Sequence, residues 1–550
     1  MKRSLRYLAG AVAVGLLLAG CSAGGDTKEE PPGPKKLVDF LWTGPALPDS
    51  TDPVIDGQLA AILGVELGST PVTYDFAKLK NNGCTELASI GDVVGQLASS
   101  WEYSADKKTF NITFRKGVKS SFGNELTAAD VKWSYDRGRA LSTSVVSMTK
   151  ATSHWLEGAD ALTVVDKNTL AVSLTEPGAL DIAVFLHPRF TIEDSTEAKK
   201  HTTADDPWAK EWLGKNSANF GPWMWTAADF NPGQELIMTR NPNYFAPENY
   251  GNIGRVVMRV IPEGSTRAQL VNSGEVDYAG QLAPTDYELV RKSGKAKVLD
   301  CLAADRDTIV LQQADARFGD VRVRQAISMA IDRKELVQAA YQGHGANPST
   351  DGLSSVYKFD RPSDSHRIKF DKAAAKKLLA EAGYPNGFSF ELAYSPTRPG
   401  PQAEQIAVTA ASMLKDIGLD VKIKVVASPA EFQSMFLKGQ FDAVVYQEPP
   451  AIADPAYAAG LYNMSTSFQN HFNYKDANYD SLQTKLSVTE PGDKRTKLMT
   501  ELSSYIADTV PSLYLLDTNL PRAFGAKVDT KSYHHFPYAT TLLMYRLVKE

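Results

Sequence analysis

Residues 97–137 read LASSWEYSADKKTFNITFRKGVKSSFGNELTAADVKWSYDR, and this stretch sets the local pattern for much of the chain. Residues 109–115 alternate between apolar and polar side chains, which predicts a half-buried strand. The Lys-Gly pair at 116–117 predicts a turn. Thr127, with Asp130 three residues later, is typical of a helix start. The stretch therefore predicts a strand followed by a capped helix that packs back on it.

The second half of the chain repeats this alternation more clearly. Apolar residues at helical spacing across 323–331 predict a core-facing helix. Asp371 can cap a second helix over 372–382. Residues 420–426 and 441–446 predict strands. Helices and strands that alternate in this way indicate an α/β protein with a sheet covered by helices.

Further motifs follow residues 97–137 in a fixed order. They are FGPW at 220–223, RNPNY at 240–244, RAQL and SGEVD within 267–277, DVRVRQA and AIDR within 320–333, and KLLAEAGY at 377–384. Together these stretches resemble the family 5 extracellular solute-binding proteins, the peptide- and nickel-class receptors of bacterial ABC importers. The resemblance runs from about residue 39 to the end of the sequence.

The resemblance implies a two-lobed periplasmic-binding-protein fold of class II-like topology and type C, in which hinge strands connect α/β lobes around a ligand cleft and the first lobe carries an extra subdomain. We expect hinge segments near 303–308 and 515–520. The expected divisions are a signal peptide at 1–20, a flexible tether at 21–36, the first lobe at 37–304 with its inserted subdomain at about 62–165, the second lobe at 305–517 and a return to the first lobe at 518–550.

The amino-terminal segment predicts export. Three basic residues precede an apolar run, and Leu18-Ala19-Gly20-Cys21 closes it, which is typical of a secretory signal. The apolar run is too short to cross a bilayer about 30 Å thick. The last four residues resemble the bacterial lipobox, which implies that Cys21 is acylated and becomes the first mature residue. The alternative is an ordinary signal with an incidental cysteine. The Gly-, Pro- and charge-rich residues that follow predict a flexible tether.

Charge and motif content narrow the function classes. The formal net charge is −5, and it becomes −8 without residues 1–20, which hold three basic and no acidic residues. This balance argues against a nucleic-acid partner. The eight histidines show no metal-ligand spacing beyond the adjacent pair His534-His535, and we find no catalytic or phosphate-binding motif. We therefore expect no enzyme activity, no metal and no cofactor.

Two cysteines remain beyond Cys21. They are Cys84 and Cys301, and neither lies in a CxxC or a metal-ligand spacing. Two thiols outside the cytoplasm favour a disulfide. Two unpaired buried thiols are the other interpretation, because sequence separation does not determine the distance between their Cα atoms.

The resemblance leaves the ligand open. In peptide receptors of the family, an Asp three residues before an acidic-Pro pair binds the ligand's α-amino group. Here the pair is Asp454-Pro455, and Ala451 stands at the position of the acid. Glu448 is a nearby substitute, because a buried ammonium without an anion costs several kcal/mol. Peptides, oligosaccharides, opine-like compounds and other small polar solutes all stay in consideration.

Segments that line the cleft in relatives supply the candidate binding residues. Arg398, in a proline-rich loop, could bind a carboxylate with two hydrogen bonds. The aromatic candidates would give apolar contact. The full set is Trp42, Tyr394, Arg398, Tyr446, Gln447 and Glu448.

These features predict an extracytoplasmic receptor, lipid-anchored to the cell membrane, that traps a peptide or another small polar solute. The expected partners are an ABC permease and its ATPase, and we expect a monomer. Two classes compete with this interpretation. One is an enzyme, and the other is a sensing or structural lipoprotein that does not transport.

Overall fold

The computed structural model describes residues 36–55, 69–79, 84, 88–360, 368–396, 399–536 and 542–550. Its strands and helices alternate along most of this length.

The strands, in chain order, are β1 Val38–Gly44, β2 Val72–Tyr74, β3 Val93–Gly95, β4 Ala98–Tyr103, β5 Thr109–Phe114, β6 Leu162–Val164, β7 Thr169–Ser173, β8 Trp223–Met224, β9 Phe230–Asn231, β10 Glu235–Arg240, β11 Ile253–Val260, β12 Tyr278–Ala279, β13 Lys297–Cys301, β14 Arg306–Leu311, β15 Ala346–Pro348, β16 Ser389–Tyr394, β17 Asp420–Val425, β18 Ala443–Glu448, β19 Leu513–Thr518, β20 Leu520–Phe524, β21 Val528–Asp529 and β22 Val548–Lys549.

The α-helices, in chain order, are α1 Ala128–Leu141, α2 Thr143–Thr152, α3 Ser195–Ala198, α4 Lys210–Leu213, α5 Gly264–Ser273, α6 Pro284–Ser293, α7 Ala316–Gly319, α8 Val321–Ala330, α9 Arg333–Tyr341, α10 Lys372–Glu381, α11 Ala403–Lys415, α12 Pro429–Leu437, α13 Pro455–Asn463, α14 Ala477–Val488 and α15 Asp493–Thr509.

Two large sheets organise the chain into two lobes. The first lobe contains an eight-stranded sheet in the order β13-β20-β12-β1-β11-β10-β8, with β9 added beside β10. The second lobe contains a six-stranded sheet in the order β15-β19-β14-β18-β16-β17. The chain leaves the first sheet after β13 and returns to it at β20, so two short crossings connect the sheets.

The predicted local elements form close to their expected limits. The alternation at 109–115 becomes β5, which pairs with β4 and β7 in a four-stranded sheet completed by β6. Helix α1 begins after Thr127, whose backbone N–H donates to the Asp130 carboxylate at 2.8 Å. Asp371 caps α10 by accepting from the Ala374 N–H at 2.9 Å. Local capping and periodicity therefore determine these boundaries, as the sequence predicts.

One predicted strand is displaced. The sequence places it at 441–446, whereas β18 spans Ala443–Glu448. The strand continues because Arg306 to Leu311 of β14 pair with it in antiparallel register over its full length. As a result Gln447 and Glu448 belong to the strand, and not to the loop after it.

Side chains along the strands of the second sheet point alternately to its two faces, and each face packs in a different hydrophobic cluster. Val444 and Tyr446 point to a hydrophobic cluster shared with the first lobe. Ala443 and Val445 point to a cluster formed with α8 to α11. Because successive side chains of a strand point to opposite faces, the end of β18 also presents its last two residues to different surroundings.

Candidate functional site

A cavity of about 760 Å³ lies between the two lobes. From the first lobe it is lined by loops that follow β1, β11 and β12, including Pro45, Pro262 and Gln281. From the second lobe it is lined by the loop after β16 and by Gln447. Ends of strands from both sheets therefore meet at one concave site, and its volume is typical of small-molecule sites.

The cavity reaches both crossings between the sheets. Asp305 lies on the first crossing, Asn519 lies on the second, and Thr518 is the last residue of β19 before it. Thr518 is buried, and its hydroxyl oxygen has no hydrogen-bond partner among the described residues. A buried hydroxyl that lacks a partner is costly, so a polar ligand atom at this position would satisfy it.

Two arginines that line the cavity bind groups of the protein itself. Arg267 donates to the carbonyl oxygens of Pro262, Gly280 and Gln281. Arg291 binds both carboxylate oxygens of Asp300 at 2.7 and 2.8 Å. These arginines hold the loops in shape, and the lining also includes the charged or titratable residues Asp286, Asp305, His344 and Arg522.

The last residue of β18 faces a different space. Glu448 lines a second cavity of about 10 Å³, which has room for about one water molecule. The side chain is buried, and its carboxylate has no hydrogen-bond partner within the described chain. Burial raises the pKa of Glu448 to about 7, although the nearby Arg306 opposes this shift.

Arg306 stands beside Glu448 but is engaged elsewhere. It pairs across the sheet with Glu448 on one side and with Asp517 on the other. Its guanidinium donates to Asp517 at 3.2 Å and to the Gly352 carbonyl at 2.9 Å, and it stacks on Tyr514 at 3.8 Å. The pair of Arg306 and Asp517 is thus internally neutral, and Glu448 adds an unmatched acid.

The structure places the aromatic candidates away from both cavities. Trp42 is buried and stacks on Tyr278 with ring centroids 6.2 Å apart. Tyr446 is buried and stacks on Phe436 at 4.3 Å. Tyr394 packs in the hydrophobic cluster of the second lobe. In this conformation these rings act as packing groups.

Of the three remaining candidate residues, two line cavities and one lies outside the described residues. Gln447 lines the large cavity and Glu448 lines the small one. Arg398 lies outside the described residues, although its neighbours Pro396 and Pro399 line the large cavity.

The region where peptide receptors carry an acid is also buried. Ala451 is 2 % exposed and lies in the cluster shared by the lobes. Asp454 is fully committed, because it binds Arg495 through both oxygens at 2.7 and 2.8 Å and caps α13. Asp454 therefore cannot replace the acid that is absent at Ala451.

Sequence reasoning missed Arg306, Asp517 and Thr518. All three lie inside the two segments expected to form the hinge, and each is a polar or charged residue in an otherwise buried strand end. Polar residues within predicted hinge strands are the signal that could have identified them.

In the structure, Cys84 and Cys301 form a disulfide with Cα atoms 5.2 Å apart. It joins a residue preceding the four-stranded sheet to the last residue of β13. Among the described residues, no group of three or more potential ligand side chains is arranged to hold a metal ion. No helix in the described ranges is long and apolar enough to span a membrane.

Comparison with known proteins identifies relatives over most of the chain. The probable D,D-dipeptide-binding periplasmic protein DdpA of Escherichia coli (strain K12) is 24% identical over 447 residues, which cover 80% of this chain and 81% of the relative. The oligopeptide-binding protein AppA of Bacillus subtilis (strain 168) is 24% identical and covers 77% of this chain and 78% of its own length.

Solved structures share the fold. The Helicobacter pylori periplasmic binding protein DppA, in complex with peptide STSA, aligns with a TM-score of 0.77 at 21% identity over 94% of this chain and 99% of its own. The binding protein AgaA from A.tumefacien R10, in complex with agropinic acid, aligns with a TM-score of 0.74 at 21% identity over 92% of this chain and 96% of its own.

These neighbours support the two-lobed α/β architecture of a periplasmic binding protein. The family model described as bacterial extracellular solute-binding proteins, family 5 Middle, matches residues 92–470. This match covers more than half of the chain and includes strands of both sheets. The chain therefore belongs to the family 5 bacterial extracellular solute-binding proteins and is a solute-binding component of an ABC importer.

Proposed function

We propose that this protein captures a short peptide or a related amino-acid derivative in the cavity between its lobes and presents it to an ABC permease. The observation that carries the proposal is the cavity of about 760 Å³, which is built from strand ends of both sheets and reaches both crossings. A solute in this position touches both lobes. Its binding free energy therefore favours the closed arrangement by the difference in its affinity for the two states.

Relatives support the peptide class. Their names describe binding of D,D-dipeptides, dipeptides and oligopeptides. In this chain, Gln447, Thr518 and Asn519 line the cavity and can form hydrogen bonds with the amide groups of a peptide backbone.

A non-peptide polar solute is the second candidate. The observation that favours it is that Arg267 and Arg291 bind groups of the protein itself, while the neutral side chains of Gln447, Thr518 and Asn519 line part of the cavity. Such a surface suits hydroxyl-rich or amide-rich ligands as well as peptides. One structural neighbour was solved with agropinic acid, and one relative is named a heme-binding protein.

The domain assignment extends the proposal. The first lobe comprises residues 37–304 with an inserted subdomain, the second comprises 305–517, and 518–550 return to the first. The hinge then lies at the two crossings beside Asp305 and Thr518. Closure about such a hinge would change the cavity that both residues line.

Anchoring and location are part of the same proposal. Acylation of Cys21 after removal of residues 1–20 would hold the receptor beside its permease and ATPase, with residues 21–36 as a tether. The Cys84–Cys301 disulfide supports an extracytoplasmic location, because disulfides persist mainly in oxidising compartments. We propose that the protein acts as a monomer without catalytic activity, metal or cofactor. Changing Cys21→Ala should release it from the membrane fraction.

Calorimetry tests the ligand class directly. Mature protein would be titrated with a di- to pentapeptide library and, separately, with oligosaccharides, and any solute that co-purifies would be identified by mass spectrometry. Peptide binding supports the first candidate, and oligosaccharide binding without peptide binding replaces it. Gln447→Ala should weaken binding, whereas Gln440→Ala, a matched change at an exposed glutamine outside the cavity lining, should not.

A further inference from the structure

A buried acid lies behind the wall of the large cavity. Asp307 of β14 is fully buried, and one of its carboxylate oxygens accepts a hydrogen bond from the Tyr341 hydroxyl at 2.5 Å. Its other oxygen has no hydrogen-bond partner among the described residues. Within the described ranges, no basic side chain forms an ion pair with this carboxylate. The Tyr341 hydroxyl is therefore the group that stabilises the ionised form of the acid.

Tyr341 connects this acid to the cavity. It is the last residue of α9, and it lines the cavity together with Gln402, whose side chain also interacts with its hydroxyl. Asp307 pairs across the sheet with Gln447, which is another lining residue. Side chains of directly opposed residues lie on the same face of a sheet. The acid and the tyrosine thus belong to one polar cluster with two glutamines of the cavity wall.

We propose that Asp307 and Tyr341 form a specificity-determining pair, in which protonation of Asp307 reverses the direction of the hydrogen bond that Tyr341 makes with the solute. The inference rests on the proposed function, because it concerns the same cavity. A tyrosine hydroxyl carries one hydrogen and can also accept. An ionised Asp307 can only accept, so it holds this hydrogen and leaves the tyrosine oxygen to accept from an N–H group of a peptide. A protonated Asp307 can donate to the tyrosine oxygen, and the hydroxyl hydrogen can then turn to a carbonyl or carboxylate oxygen.

The surroundings of Asp307 place this change near neutral pH. Burial raises the pKa of Asp307 to about 7, and the hydrogen bond from Tyr341 only partly opposes the shift. Burial also raises the pKa of Tyr341 well above its ordinary value, so the tyrosine stays neutral. Between pH 8 and pH 6, the ionised fraction of Asp307 should therefore fall from about nine tenths to about one tenth.

Other titratable groups near the pair must be distinguished from it. Asp305, on the first crossing, lines the cavity and raises the pKa of the tyrosine. His344, on the loop after α9, also lines the cavity, and histidines commonly change charge between pH 5 and pH 8. The two neighbouring strands place Gln447 and Leu516 opposite Asp307, so neither adds a charge at this position. A variant of His344 is therefore the discriminating control.

Matched peptide and ester probes test the direction of the hydrogen bond. Trialanine and its two analogues, in each of which one amide N–H is replaced by an ester oxygen, would be titrated by calorimetry at pH 8 and pH 6. We expect the preference for the peptide over one of the esters to be about fivefold larger at pH 8, because Tyr341 then accepts from the N–H group. Titration of the probes' terminal groups affects peptide and ester alike, so it cancels in this ratio.

Three variants identify the groups responsible. In Asp307→Asn the preference should not change with pH, and in Tyr341→Phe it should be small at both pH values. His344→Gln should keep the wild-type pH dependence. A preference that is independent of pH in wild type overturns the inference and leaves the proposed function intact. So does a pH dependence that is lost in His344→Gln and retained in Asp307→Asn. Circular dichroism would verify that each variant is folded.

Infrared difference spectra of the ligand-free protein give a readout that does not depend on the probe. Between pH 8 and pH 6, wild type should gain a protonated carboxyl signal that Asp307→Asn lacks. Glu193 and Glu448 also have raised pKa values, but both acids are present in the variant. In Tyr341→Phe the signal should appear at higher pH, because the ionised acid loses its donor. Absence of the signal in wild type overturns the inference. If no peptide binds, the peptide assignment fails, and the infrared result alone decides the inference.

Discussion

Two buried carboxylates near the start of α13 differ in their surroundings. Asp454 is bound by Arg495 through two short hydrogen bonds, and it also accepts two backbone N–H groups of the helix. Glu448 is similarly buried, but the adjacent Arg306 bonds to other partners. The first acid has every oxygen satisfied, and the second has no described hydrogen-bond partner.

This difference should give the two acids opposite effects on the stability of the fold. A matched buried pair tolerates burial because its hydrogen bonds offset much of the lost hydration, and removing one member leaves an uncompensated charge. An unmatched buried acid destabilises the folded state whenever it is ionised. We therefore expect the Asp454 cluster to stabilise the second lobe, and ionised Glu448 to lower the stability of the fold.

The largest effect should follow from breaking the matched pair. Arg495→Met leaves the buried Asp454 carboxylate without its cation, so the free energy of unfolding should fall by about 3–5 kcal/mol. Urea unfolding at pH 7, followed by circular dichroism, measures this change.

A double variant provides the control for that prediction. Adding Asp454→Asn to Arg495→Met removes the stranded charge while keeping a side chain that can cap α13, so part of the lost stability should return. If the double variant is as unstable as the sum of the single changes, the pair does not act as a coupled unit.

Glu448, the acid without a partner, should change the free energy of unfolding in the opposite direction. The pKa of Glu448 is about 7 in the folded protein and close to 4.5 when unfolded. The folded state therefore binds more protons between these values, and stability present below about pH 4.5 is lost as pH rises through 7. The loss is up to about 3 kcal/mol.

Glu448→Gln should remove this dependence. The variant should be more stable than wild type at pH 8 and nearly equal to it at pH 4.5, and urea unfolding at the two pH values measures both differences. Asp307 and Glu193 also have pKa values raised by burial, to about 7 and about 8. Because Asp307 and Glu193 are present in both proteins, the difference in stability between variant and wild type reports on Glu448 alone. A variant less stable than wild type at pH 8 would show that Glu448 has a stabilising partner.

The sequence predicted local elements better than it predicted the contrast between these acids. Thr127 with Asp130, and Asp371 before its helix, are short-range signals, and the structure confirms the helix starts they predict. The end of β18 depends on pairing with β14, more than a hundred residues away in the chain. This long-range pairing extended the strand and buried Glu448, which the local pattern had placed in a loop.

The binding surfaces required still more distant information. The large cavity forms only where loops after β1 and β12 meet the loop after β16, and no local pattern records that approach. Sequence resemblance identified the family, and two of the residues that it proposed, Gln447 and Glu448, line cavities in the structure. It did not indicate that Trp42, Tyr394 and Tyr446 would be packed in hydrophobic clusters.

The smallest effect should come from an ion pair at the surface. Lys132 and Asp136 on α1 are 2.9 Å apart, and their side chains are 31% and 24% exposed, compared with 6% and 2% for Arg495 and Asp454. Water and salt screen such a pair, and Lys preceding an acid by four residues is the less favourable order on a helix. Lys132 also donates to the Ala159 carbonyl, so Lys132→Gln should lower the free energy of unfolding by about 0.5 kcal/mol.

The effect of salt distinguishes the buried ion pair from the exposed one more clearly than the size of the stability change does. At 1 M NaCl the Debye length falls to about 3 Å, so the difference between Lys132→Gln and wild type should nearly disappear. The difference between Arg495→Met and wild type should persist, because solvent ions do not reach a pair whose side chains are almost fully buried. Urea unfolding of both variants at low and high salt makes the measurement. If both differences shrank in parallel, burial would not explain why the Arg495–Asp454 pair differs from the exposed Lys132–Asp136 pair. The comparison of Asp454 with Glu448 would then lose its physical basis.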